Sequence, residues 1–132
     1  MAREPRLLPA QTFYHLLVGG KMKAVDEDTG RVLAEGVEVA GTFWKRFRGQ
    51  MLRKRPGSLL FRGRNLHVHT CFMRFPLDLL YLRRGRAVKL VRSLGPWRFC
   101  SAPRGSDALL ELPPGTLSRA GVREGHRIGL RG

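Results

Sequence analysis

The run His67-Val-His69-Thr-Cys71-Phe-Met73-Arg-Phe-Pro76-Leu-Asp78 is the densest concentration of reactive side chains in the sequence. If it is a strand, alternation puts His67, His69, Cys71 and Met73 on one face and Leu66, Val68, Thr70 and Phe72 on the other. Two imidazoles and a thiolate on one face are ligand types for zinc, copper or iron. Histidines bonded to main chain, with Cys71 as a small apolar filler, explain the same residues without an ion. The reading adopted is no metal and no cofactor, with His67, His69 and Cys71 the candidates if one is bound. A Cys71–His69 nucleophile pair lacks a third, orienting group, so no catalytic residue is assigned.

Asp78 stands apart, because it is the sole acid between residues 41 and 106, against 16 basic residues. Beside the Phe75-Pro76 bend, a buried Asp accepts main-chain N–H groups or pairs with Arg. A pocket bordered by His69, Arg74 and Asp78 is the functional alternative. The His-x-His pair also resembles the metal motif of the cupins. The rest of that pattern is missing: Arg74 stands where a Glu is needed, and no His follows Pro113-Pro-Gly115. A cupin-like metal-dependent enzyme using His67 and His69 is therefore an alternative and not the main reading.

These side chains must be positioned by one small domain. The chain has 132 residues, a net charge of +15, 42% hydrophobic residues and two cysteines. The apolar fraction excludes a disordered tail, and the length permits a core without disulfide staples. Two cysteines exclude a disulfide scaffold, and no apolar run approaches the roughly 20 residues that span a bilayer. Residues 1–40 carry net −1, residues 41–106 net +15 and residues 107–132 net +1. Nucleic acid or another anionic partner would be drawn to the middle segment, although an Arg-biased solvated surface accounts for the charge as well. That segment shows no interleaved aromatic platform of the kind used by single-strand binders.

Residues 1–12 read as a flexible lead-in without a secretory signal, which implies a cytoplasmic protein, and residues 13–132 as a single β domain. Phe13 to Val18 is an apolar run suited to a strand or a packing arm. Lys21–Val25 and Arg31–Ala40 flank an acidic turn ending in Thr29-Gly30 and predict a hairpin. Phe43, Phe47 and Met51, widened by Trp44 and Leu52, form the apolar stripe of an amphipathic helix. Its polar face carries Lys45, Arg46 and Arg48 and continues into Arg53, Lys54 and Arg55, a candidate anion or nucleic-acid contact. Ser58–Arg62, Leu66–Met73, Leu77–Arg83, Ala87–Leu94, Ala108–Leu112 and His126–Leu130 read as strands. Leu117–Ala120 predicts one helical turn closed by Gly121. The fold class is mainly β, a small jelly-roll-like sandwich or barrel.

Thr29-Gly-Arg-Val-Leu-Ala34, Val37-Glu-Val-Ala40 and Phe43-Trp-Lys-Arg-Phe-Arg-Gly49 resemble the opening of the domain-of-unknown-function 192 family. Asn65 through His69-Thr70 and Phe72 to Asp78 resemble its central signature, Leu110-Glu-Leu-Pro-Pro-Gly-Thr116 its closing motif, and Gly121 to Gly125 its Gly-containing tail. Gln50 and Cys71 depart from the family pattern, which argues against a family-wide metal or redox role for Cys71. The resemblance implies a compact β fold and no reaction, and it shifts weight to His69, Arg74 and Asp78. The expected function is a small non-enzymatic binding or accessory domain; the alternative is nucleic-acid binding through residues 41–106. Oligomeric state is not legible.

Overall fold

The computed structural model describes residues 21–40 and 56–132. Along this part of the chain run β1 (Lys21–Asp26), β2 (Val32–Val39), β3 (Ser58–Arg62), β4 (Val68–His69), β5 (Leu77–Arg83), β6 (Arg86–Leu94), β7 (Phe99–Cys100), β8 (Ala108–Leu112), the short helix α1 (Thr116–Ala120) and β9 (Ile128–Arg131). Seven strands form a sheet in the order β6-β5-β8-β3-β2-β1-β9, and β4 pairs with β7 as a separate ribbon. The β2–β3 pair is parallel and the others are antiparallel. At one end the outer strands meet: Arg86 bridges Arg127, and Ile128 N–H donates to the Gly85 carbonyl at 2.8 Å. The sheet is thus a curled half-barrel in a mainly β fold. No helix among the described residues is long and apolar enough to cross a membrane.

The turns follow from local chemistry. In the β1–β2 turn, Gly30 has φ 76°, and Asp26 Oδ1 accepts the N–H groups of Asp28 and Thr29. Between β5 and β6, Arg84 and Gly85 both have positive φ, as the tight hairpin turn with the twist of its flanking strands requires.

Two cores occupy the two faces of the central strands. Leu60, Leu80, Leu110 and Leu112 meet Leu117 and Val122 on one face. Leu59, Phe61, Leu79, Tyr81 and Leu109 meet Val68, Met73 and Cys100 on the other. All of Leu77–Leu82 and Ala108–Leu112 is therefore buried, which explains a Leu-rich sequence with little polar alternation.

The hairpin, β3, β5, β6, β8 and the turn before Gly121 lie where the residue patterns place them. The final strand begins at Ile128 and not at His126. The Leu66–Met73 strand is corrected to two residues, Val68–His69. After Thr70 the chain turns, and Phe72 takes φ 63°, so the face shared by His67, His69, Cys71 and Met73 does not persist. Met73 is buried while His67 and His69 are exposed. The Phe43–Leu52 helix, its basic residues Lys45, Arg46, Arg48, Arg53, Lys54 and Arg55, and the Phe13–Val18 run lie outside the described residues.

Asp78 ties the elements together. It is fully buried; Oδ1 accepts Ser93 N–H and Oδ2 accepts Leu117 N–H, both at 2.9 Å. Ser93 is the β6 residue with φ 51°. Gly115 begins α1 without a side-chain cap, so Asp78 on β5 supplies the acceptor that an N-cap side chain would otherwise provide. Asp78→Ala is expected to cost about 3 kcal/mol in urea unfolding, since two N–H groups lose their buried acceptor. Asp78→Asn, which keeps one oxygen, should cost less. A loss below about 1 kcal/mol for the alanine variant would show that the carboxylate is not the tie.

Candidate functional site

The residues singled out from the sequence occupy different depths. Asp78 lies in the core with both oxygens taken up by main chain, whereas His69 and Arg74 lie on the surface. His67 Nδ1 accepts the Ala102 N–H at 3.0 Å, which makes Nδ1 an acceptor. Cys71 and Cys100 are free thiols. Ligand atoms of His67, His69 and Cys71 do not form a close cluster; among the described residues the group that does is Asp26, Asp28 and His126. There, buried Asp26 Oδ2 lies 2.8 Å from His126 Nδ1, and Asp28 Oδ2 accepts Arg127 N–H at 2.8 Å. These contacts latch the β1–β2 turn to the start of β9 and occupy three of the carboxylate and imidazole atoms that an ion would need. A separate open cleft of about 460 Å³ lies between β2 and α1, lined by Arg31, Val32, Leu33, Thr116, Arg119 and Ala120.

The exposed rings fall into two pairs. Phe72, Trp97 and Phe99 are 58%, 63% and 67% exposed, unlike every buried aromatic of the two cores. Phe72 and Trp97 pack with centroids 4.8 Å apart, and Phe99 lies 6.1 Å from the ring of His67. The β4–β7 register explains the arrangement. Val68 pairs with Cys100, and both are buried on the second core; His69 pairs with Phe99, and both face outward.

Thr70 builds the support for these rings. It is fully buried; its N–H donates to Arg98 O at 2.8 Å, and its carbonyl accepts Trp97 N–H at 3.0 Å and Met73 N–H at 3.1 Å. Its hydroxyl donates to Gly95 O and accepts Arg98 N–H, each at 2.7 Å. Tyr81 secures the approach by donating its hydroxyl to Leu66 O at 2.7 Å. Burial, reinforced by Cys100 and then Glu111, raises the Tyr81 phenol well above its ordinary pKa, so it stays a donor.

Phe72 and Trp97 are held at φ 63° and 60°. Bulky side chains avoid that region, at a cost of roughly 1–2 kcal/mol each. The sequence order conceals this arrangement: the rings lie on two separate segments, and the alternation that groups Phe72 with Leu66, Val68 and Thr70 fails at the left-handed turn. Positive φ at an aromatic residue has no local sequence signal, so the exposure of Phe72 and Trp97 is not legible in the residues.

Thr70→Val removes the hydroxyl and keeps the shape. It should cost about 1–2 kcal/mol and accelerate amide hydrogen exchange at Arg98 by tenfold or more, with smaller effects on β1 and β2. Unchanged exchange at Arg98 would refute the anchoring role.

The family profile for DUF192, Uncharacterized ACR, matches residues 24–130. A UPF0127 protein of Pyrococcus furiosus is 33% identical over 104 residues, covering 75% of this chain and 90% of that protein. A UPF0127 protein of Thermococcus sibiricus is 30% identical over 110 residues, covering 79% and 71%. The fold is similar to that of a protein of unknown function from Novosphingobium aromaticivorans, with TM-score 0.71, 19% identity and 84% of each chain covered. It is also similar to that of a putative transcription regulator from Sinorhizobium meliloti, with TM-score 0.70, 24% identity and coverage of 83% and 91%. These two likenesses show the shared fold and carry no activity. The half-barrel, the His69-to-Asp78 signature that braces it and the profile match across its strands agree: this chain belongs to the DUF192 family of uncharacterised proteins.

Proposed function

We propose that this protein is a small cytoplasmic binding or accessory domain that presents the rings of Phe72, Trp97 and Phe99 to a partner. The observation that carries this reading is the pairing of two exposed aromatic residues on left-handed backbone. Strain kept at the surface, where it adds little burial, is a recurrent mark of functional positions. Large exposed apolar groups clustered together mark interaction sites, whereas scattered ones are ordinary. No reaction is assigned: the carboxylate of the family signature, Asp78, is engaged by main chain. Two free thiols accord with a reducing compartment.

The reading makes a stability prediction opposite to that for a structural role. Phe72→Gly and Trp97→Gly relieve the backbone while losing one exposed ring contact. Each is expected to leave unfolding free energy unchanged or raise it by up to about 1 kcal/mol. Core aromatic residues cost roughly 3–5 kcal/mol when truncated. A loss above about 2 kcal/mol at either position would mean that the rings hold the fold, and the proposal would fail.

A further inference from the structure

Within that reading of the ring face, we propose that its ligand is single-stranded nucleic acid, with bases stacking on Phe72, Trp97 and Phe99 and phosphates meeting the flanking arginines. The inference rests on the ring face being the working surface and adds the class of its partner.

Charge complementarity selects this partner. Between residues 56 and 106 the sole acid is Asp78, which is fully buried, so this stretch shows no carboxylate to solvent. Arg74 and Arg98 are exposed and lie within two residues of the rings in sequence, and Arg64 and Arg104 on the same stretch are also exposed. A guanidinium forks to phosphate oxygens and stacks on bases, which a lysine does less well. The chain carries 20 Arg against 5 Lys.

Ring geometry points the same way. Flat faces accept any base, so stacking gives affinity without sequence readout. The platform offers two ring groups, Phe72 with Trp97 and Phe99 with His67. His69 is exposed opposite Phe99 and provides a further flat, polar edge. An anionic membrane is gripped by the continuous apolar face of an amphipathic helix, whereas these rings stand on turns and a two-residue strand. Among the described residues, the large exposed apolar groups are these three rings and Val32, which lies on β2. Duplex nucleic acid keeps its base faces stacked on one another and offers phosphates and groove edges, so it uses the arginines and not the ring faces.

The platform is also preorganised. Thr70 bonds fix Trp97 and Arg98, so a strand meets rings already held apart from the core. Less ordering is then needed on binding.

The test is titration of the full chain with a fluorescein-labelled 12-nucleotide oligothymidylate at about 50 mM and 200 mM salt, read by anisotropy. Parallel titrations use a 12-base-pair duplex and vesicles of phosphatidylserine and phosphatidylcholine. The expected result is single-strand binding that weakens about tenfold or more in Phe72→Ala and in Phe99→Ala, while the duplex affinity of both variants stays within about twofold. Arg98→Ala should weaken both nucleic acids and reduce the salt dependence. Circular dichroism and melting of each variant establish that it is folded. Absence of single-strand binding at the lower salt overturns the proposal, as does binding that the ring substitutions leave unchanged. Ring-dependent vesicle binding without oligonucleotide binding overturns the nucleic-acid assignment and leaves the ring face as the working surface. By contrast, a large stability loss in the glycine variants defeats the ring-face reading itself, so the two failures are distinguishable.

Discussion

A carboxyl group buried in an apolar core is costly unless donors meet its oxygens. Asp78 is such a group, and its two oxygens are met by Ser93 N–H and Leu117 N–H. That demand joins three parts of the chain that are distant in sequence. It places β5 against the bulged end of β6, and it begins α1 where Gly115 has no side chain to do so. Leu117 then seals the first core. The bond falls one residue before the end of β6, where the chain continues to Gly95 and the ring-bearing segment.

Thr70 takes hold of that segment from the opposite side. Gly95, Trp97 and Arg98 all bond to its main chain or hydroxyl. The signature from His69 to Asp78 thus works as a brace: Asp78 grips the start of the crossover from β6 to β7, and Thr70 grips its end. Strained φ values at Phe72 and Trp97 persist because several hydrogen bonds over-determine the turn. Met73, one residue after Phe72, returns to the core and completes the anchoring. These bonds hold the main chain at Trp97 and Arg98, and the rings of Phe72, Trp97 and Phe99 stay exposed.

Much of the scaffold was legible in the residues. Thr29-Gly30 and Arg84-Gly85 announce their turns because left-handed backbone favours glycine. Gly121 likewise closes α1 at φ 67°. Asp78 was readable as an organiser of main chain, since a lone acid amid cations and beside a bend has few other stable fates. The short β4 was not readable. Leu66 to Met73 alternates as a strand should, yet Thr70 bonds to the 95–98 segment and turns the chain away. The latch between Asp26 and His126 was equally hidden, because its partners are 100 residues apart in sequence.

Composition and pattern by themselves determined a small, mainly β chain with its net positive charge concentrated in residues 41–106. Local propensity, turn chemistry and apolar spacing suffice for that, since each acts over a few residues. Tertiary structure alone decided which aromatics remain outside. Phe72, Trp97 and Phe99 are as apolar as any core residue, and nothing in their immediate neighbours sends them to the surface. Their exposure follows from the pairing of β4 with β7 and from left-handed backbone at two of the three. Both are consequences of contacts between distant segments, which residue spacing along one segment does not encode.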